Sequence, residues 1–286
     1  MRLAASGVIV GNDVHSNAEA GIDIRKNADP LVQRSGIVVL GSGRGHIKNN
    51  NIYSNTEAGV YVLYGGNPVI RENYIYEGRA AGVAIYAGGK GCIIDNAIRG
   101  NHWGGIDIRN GGSSLVTGNS IVSGISHGIV IGLDGKASIE NNLISGNAGC
   151  GIWMMATNSV KIQSNQICSN EHCGVLMLDK TSSSMARHLD PLLADVNQRV
   201  FSQCSDQLPC LETSSDVALL QYNNIYYNKG EGIHVEMNKE VQLLYNAVHA
   251  NKKDGVLMVH SSAAIVEGNS VTNNGGSGIV TSLYDK

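Results

Sequence analysis

Phenylalanine occurs once among 286 residues, and aromatic residues make up only 5% of the chain. No apolar run approaches the length of about 18 residues that a membrane-spanning helix needs. No hydrophobic stretch follows Met1, so no secretory leader is expected. Charge is nearly balanced, with 21 basic and 24 acidic residues and a formal net charge of −3. That balance excludes the broad basic surface of a general nucleic-acid binder. No Walker-type loop is present; pairs such as Gly43-Arg44-Gly45 read as turns rather than phosphate cradles.

Glycine is abundant, with 36 copies, and it is periodic. Gly36, Gly59, Gly82, Gly105, Gly128, Gly151 and Gly174 are each 23 residues apart, and Gly232, Gly255 and Gly278 resume the step. Ile or Val follows each glycine, as in Ile37, Ile106 and Ile233. Nine residues before the glycines from Gly59 onward stand Asn50, Asn73, Asn96, Asn119, Asn142, Asn165, Asn223, Asn246 and Asn269. Two after each asparagine is Ile or Val. A third apolar track runs through Ile9, Ile47, Ile70, Ile93, Val116, Ile139, Ile162, Leu220, Leu243 and Val266.

A fixed period over most of a chain marks a stacked-repeat architecture. Each unit holds three short pieces with period-2 apolar alternation, the mark of strands, separated by turn-forming Gly, Asn, Asp and Ser. The sequence therefore predicts an all-β, right-handed parallel β-helix of about ten to eleven coils, three strands to a coil, each coil stacked on the next at about 4.8 Å. A narrow interior explains the Ile and Val and the near absence of Phe. The asparagines would stack in register as a structural ladder, each amide bonding those above and below.

The predicted organisation is one elongated domain: coils over residues 1–178, an insertion over 179–216, and coils again over 217–286. Gly21 to Gly36 spans 15 residues, eight short of the period, so the coil at 21–35 is expected to be irregular and to carry raised mobility. Gly174 to Gly232 spans 58 residues, one period and 35 more. Within that insertion Leu189, Leu193, Val196 and Val200 share one helical face, which predicts a docked helix. The chain opens and closes within a coil, so it reads as a fragment of a longer solenoid.

Many β-helices process polysaccharides with clustered acids on outward positions. The outward residues after the glycines include Asp23, Asp107 and Glu236, but no two acids are neighbours, and glycoside hydrolysis calls for a carboxylate pair. Asp23/Arg25 and Asp107/Arg109 read as surface ion pairs, each of little worth. No catalytic residue is assigned. His102, His127 and His172 share no register, and the cysteines lack ligand spacing, so neither a metal nor a cofactor is expected. Cys150 and Cys173 occupy one slot in adjacent coils, within possible disulfide range; the alternative of reduced thiols implies a cytoplasmic protein.

One outward feature stands out. Trp153, Met155, Leu176, Leu178, Leu257 and Val259 would stack as an apolar strip, and exposed apolar strips mark interfaces. These are the partner-binding candidates. The competing account has the insertion, which starts beside Leu178, fold back and cover them.

The repeats Gly36-Ile-Val-Val-Leu-Gly, Gly59-Val-Tyr-Val-Leu-Tyr-Gly-Gly-Asn-Pro, Gly78-Arg-Ala-Ala-Gly-Val-Ala, Gly104-Gly-Ile-Asp-Ile-Arg and Cys150-Gly-Ile-Trp-Met-Met resemble the β-helical F-box only proteins, over nearly the whole chain. The resemblance implies the non-catalytic substrate receptor of a Skp–cullin–F-box ubiquitin ligase, whose β-helix binds the protein to be ubiquitinated. The ligase core would be met only through an F-box, which this chain lacks, as it lacks the family's C-terminal lipidation tail. No nucleic acid and no membrane is implied as a partner of this region. The alternative is a carbohydrate-binding or polysaccharide-processing β-helix.

Overall fold

The structure is a computed structural model that describes residues 6–17, 20–24, 35–155, 159–179, 217–237, 239–259 and 264–282. Among these residues all regular structure is β: three parallel sheets of 10, 11 and 10 strands form the sides of a solenoid. The eleven-stranded sheet holds the strands that follow the periodic glycines, from Ile22–Ile24 to Ile279–Ser282. A second sheet holds the strands that follow the asparagines, such as Asn51–Tyr53 and Ser120–Val122. A third holds strands such as Ser113–Thr117 and Lys136–Glu140. We call them the glycine-led, asparagine-led and third sheets.

The register places identical repeat slots one above another. Ile85, Ile108 and Ile131 are successive partners in the glycine-led sheet, and Ile70, Ile93 and Val116 in the third. Their side chains meet in one continuous interior with Ile52, Ile75, Ile98 and Ile121 of the asparagine-led sheet. A fully buried Ile contributes roughly 1.5–3 kcal/mol, and the coil supplies three sides of such residues at each level. The periodic glycine is required by close approach. A Cβ on Gly105 would stand 2.5 Å from Ile121 Cγ2 and 2.8 Å from the Gly128 carbonyl oxygen.

The corner between the third and asparagine-led sheets has two residues. The first adopts positive φ, as in Asn49 at 56° and Glu72 at 55°, and the second is a buried asparagine. The Oδ1 of Asn119 accepts from the Asn96 backbone N–H and from Asn96 Nδ2, both at 2.9 Å. Asn119 Nδ2 donates to Asn142 Oδ1 and to the carbonyls of Ile93 and Thr117. The same pattern links Asn50 to Asn73 and continues from Asn142 through Asn165, Asn223 and Asn246 to Asn269. A second ladder, which the sequence reading passed over, runs through Asn147, Asn170, Asn228, Asn251 and Asn274, five residues after the first.

Among the described residues the short coil contributes one strand, to the glycine-led sheet. Ile22–Ile24 pairs directly with Ile37–Val39, whereas the third and asparagine-led sheets pass from Ser6–Val10 to Arg44–Lys48 and from Asp13–His15 to Asn51–Tyr53. The mobility expected there falls on residues 25–34, outside the described residues. So do the insertion after Asp179 and its expected helix. The stack itself is continuous across the insertion: Val175–Leu178 pairs with Ile233–Glu236, and Val160–Gln163 with Ala218–Gln221.

Candidate functional site

From the strand Ile37–Val39 to the strand Val175–Leu178 the glycine-led sheet is buried on both faces. Beyond the interior lies a second cluster of Val38, Tyr61, Ala84, Tyr86, Trp103, Val130, Cys150, Trp153, Met155, Leu176 and Leu178. The apolar strip, for which cover and an open interface were the two expectations, is closed: Trp153, Met155, Leu176, Leu178 and Val259 are buried, and Leu257 is half-buried. An outward slot is solvent-facing only if nothing packs on the sheet, and here the outer face carries its own core.

Asp107 and Arg109 sit within that outer core. They are 0% and 2% exposed, which corrects the expectation of a surface ion pair. Arg109 Nε donates to Asp107 Oδ1 at 2.6 Å, and its terminal nitrogen donates to Oδ2. The neighbouring coil supplies Tyr86, whose hydroxyl donates to Oδ2 at 2.5 Å; Trp103 Nε1 donates to the same oxygen at 2.6 Å. The guanidinium also lies 5.1 Å from the Trp103 ring centroid and 5.7 Å from that of Tyr86. Burial drives the Tyr86 pKa well up, so its hydroxyl stays protonated. Burial opposes the charge on Arg109, but Asp107 outweighs it and holds the guanidinium charged.

His127 packs 4.8 Å from Trp153 and 6.1 Å from Trp103. Its Nδ1 accepts the Cys150 backbone N–H at 3.0 Å. Burial, followed by the nearby Arg109 charge, lowers its pKa to about 4, so the ring is neutral at pH 7. Together these groups form a closed network in which the carboxylate is fully bonded. A closed, mutually satisfied network fixes packing; it offers no open position to a polymer.

An open position exists on the third sheet. A groove of about 690 Å³ is lined by Ser113, Ser114, Leu115, Lys136, Ala137, Ser138, Ser159, Val160, Lys161, Val217 and Leu219. Register sets its layout. Ser113 pairs with Lys136, Leu115 with Ser138, and Ser138 with Lys161, so the hydroxyls and ammonium groups alternate along the axis at one coil's spacing. Glu140 stands at the rim, its Oε1 accepting from Ser138 Oγ at 2.6 Å and lying 3.4 Å from Lys161 Nζ. The Ser138 hydrogen bond, helped by Lys161, lowers the Glu140 pKa and keeps it ionised. The Ser114 hydroxyl is buried beside the groove and makes no hydrogen bond among the described residues. Lys136, Ser138, Glu140 and Lys161 occupy outward slots of the third sheet, a track separate from the outward slots that follow the periodic glycines.

Three metal-ligand side chains also converge among the described residues. Cys173, Glu231 and His234 bring one donor atom each to within 4.8 Å of one another.

A model described as "Right handed beta helix region" matches residues 35–188 and 194–285. No match was found among curated protein sequences. Three solved structures resemble the chain over most of its length. A double mutant of the periplasmic alginate epimerase AlgG gives a TM-score of 0.58 at 16% identity, covering 99% of this chain and 70% of that one. The mannuronan C-5 epimerase AlgE4 A-module of Azotobacter vinelandii gives 0.51 at 14%, covering 99% and 89%. The AlgE6 A-module of the same organism gives 0.51 at 16%, covering 88% of this chain and 64% of that one, so the chain spans less than two thirds of that module.

These findings correct three expectations. The ubiquitin-ligase substrate receptor is overturned: the matching model is a β-helix region with no F-box link, and the similar structures are polysaccharide enzymes. The repeats that carried the resemblance consist mainly of Gly, Ile, Val and Asn, the residues every narrow parallel coil needs. The non-catalytic role falls with it, since the similar structures are enzymes. The cytoplasmic setting is corrected as well, because AlgG is periplasmic.

Proposed function

The chain belongs to the right-handed β-helix family, and from that premise we propose that it is a polysaccharide-processing enzyme of the periplasmic or extracellular space, acting on acidic, uronate-type polymers. The observation that carries this reading is the open groove on the third sheet, where Lys136 and Lys161 alternate with serine hydroxyls beside the ionised Glu140. A polymer laid along the axis meets the same backbone spacing coil after coil. Ammonium groups suit its carboxylates, and hydroxyls suit its ring oxygens.

The chemistry that fits is proton abstraction beside a carboxylate. Lys161 neutralises the sugar carboxylate, which acidifies the adjacent C–H. Glu140, held by Ser138, accepts the proton. Hydrolysis fits less well, because among the described residues no carboxylate lines the groove and Glu140 stands at its rim without a second acid beside it. C-5 epimerisation, the reaction the similar structures are named for, follows when a proton is delivered from the face opposite Glu140, for which the Lys136 ammonium is the donor in the groove.

The test incubates the purified chain with polymannuronate, polyguluronate and polygalacturonate. Proton NMR reads epimerisation, ultraviolet absorbance reads unsaturated ends, and a reducing-end assay reads hydrolysis. Glu140→Gln should lower turnover by about 10²-fold or more while polymer binding persists. Lys136→Ala with Lys161→Ala should weaken binding and its salt dependence. No reaction on any uronate polymer, or full activity in Glu140→Gln, rejects the reading.

A further inference from the structure

We propose that Cys173, Glu231 and His234 form a binding site for a zinc-class divalent ion on the outer side of the glycine-led sheet, independent of the groove. The first two residues share a repeat slot, the position immediately before the periodic glycine. Gly174 N donates to the Glu231 carbonyl at 3.0 Å, so Cys173 and Glu231 stand on adjacent rungs. His234 is the outward residue of the strand Ile233–Glu236 and pairs with Leu176. The three donor atoms thus come from two neighbouring coils and converge on one point.

The distances suit a small ion. Cys173 Sγ lies 3.2 Å from Glu231 Oε2, and all three donors lie within 4.8 Å of one another. Tetrahedral zinc, with bonds near 2.3 Å to sulfur and 2.0–2.2 Å to nitrogen or oxygen, sets its ligands roughly 3.5 Å apart. Modest side-chain rotation closes the remainder. The other carboxylate oxygen, Oε1, is held by Lys253 Nζ at 3.1 Å, which leaves Oε2 facing the thiol. His234 Nε2 is buried and makes no hydrogen bond among the described residues. A buried ring nitrogen, a thiol and a carboxylate oxygen thus present three donors to one point.

Donor chemistry selects the metal class. A thiolate, an imidazole and one carboxylate oxygen match zinc and its cobalt surrogate, and mismatch the all-oxygen preference of calcium and magnesium. Three protein ligands leave a fourth position open, the pattern of zinc sites that hold water or substrate. Cys150, one rung before Cys173, is the nearest competitor: a disulfide between the two would remove the thiolate. Both are reduced in this structure.

The experiment titrates the full-length chain, stripped with chelator, with Co2+ and then with Zn2+. One equivalent should bind, with a thiolate-to-cobalt charge-transfer band that zinc displaces. Cys173→Ser should abolish the band, and His234→Gln should weaken zinc binding at least tenfold, each with an unchanged metal-free circular dichroism spectrum. Cys150→Ser, which removes the disulfide alternative and keeps all three donors, should retain the band. The proposal is overturned by an absence of saturable binding, by a band that survives in Cys173→Ser, by loss of binding in Cys150→Ser, or by a Cys150–Cys173 disulfide in the isolated protein.

Discussion

The two faces of the glycine-led sheet follow opposite rules. Inward, Ile85, Ile108 and Ile131 repeat because each coil meets a copy of itself. Outward, Ala84, Asp107, Val130 and Trp153 occupy one slot in four successive coils and share no chemistry. Both faces are buried. Burial alone therefore does not enforce repetition; an identical neighbour does. The inner face depends on volume, and the outer face on satisfying particular polar atoms.

The largest separation between the faces should come from charge. Asp107→Ala leaves the Arg109 guanidinium buried without its carboxylate and should cost about 3–5 kcal/mol, read by urea denaturation. Replacing both residues with apolar ones of similar volume should recover most of that loss. A single variant that melts like the parent would mean the outer network is not buried in solution. On the inner face, Ile131→Ala should cost about 2–5 kcal/mol through lost transfer energy and a cavity. No pH dependence should accompany it.

The outer face alone should carry an acid sensitivity from histidine. The His127 pKa is lowered to about 4 in the folded chain, against about 6.5 when unfolded. A lowered folded pKa means that the unfolded chain takes up the proton first. Stability is therefore fully present above about pH 6.5 and falls as the pH drops towards 4, by on the order of 3 kcal/mol. His127→Gln should flatten that slope in denaturation measured at pH 7 and pH 4.5. Glu140 and Glu231, with lowered carboxylate values, lose their contributions below that window.

The smallest of these effects belongs to the corner. Asn119→Ala deprives the Asn96 N–H and Nδ2 of their acceptor and should cost roughly 1–3 kcal/mol. An unchanged thermal midpoint would show that the rungs contribute no net stability.

The same contrast explains what the sequence could reveal. The inner face was legible because Gly105, Ile106, Ile108 and Asn119 recur at fixed spacing, and each has one physical reason to recur. Asn147 and Asn170 carry a second periodic signal of equal strength, missed only because one asparagine track had already been assigned. The Asp107 network was not legible: Tyr86 and Trp103 reach it from different slots, so no register displays the three together. The third-sheet groove needed the outward residues of that sheet, read coil by coil. The ligand trio was hidden by the insertion, which places Cys173 and Glu231 58 residues apart although one coil separates them. The F-box resemblance, carried by whole repeats, reported the scaffold and not its use.

The corners of the solenoid differ in one further way. Two residues separate every third-sheet strand from the next asparagine-led strand, as between Lys48 and Asn51, and six separate asparagine-led from glycine-led strands, as between Tyr53 and Val60. The remaining junction obeys no such count. Four residues separate Val39 from Arg44, three separate Arg109 from Ser113, and the chain leaves at Leu178 and rejoins at Ala218 with pairing intact on both sides. Length is therefore an adjustable quantity at one edge of the rod and a fixed one at the other two. A foreign loop grafted after Asn110, outside the strand that carries Arg109, should be accommodated, whereas a single residue added beside Asn119 would turn the side chains of the strand that follows to the wrong face.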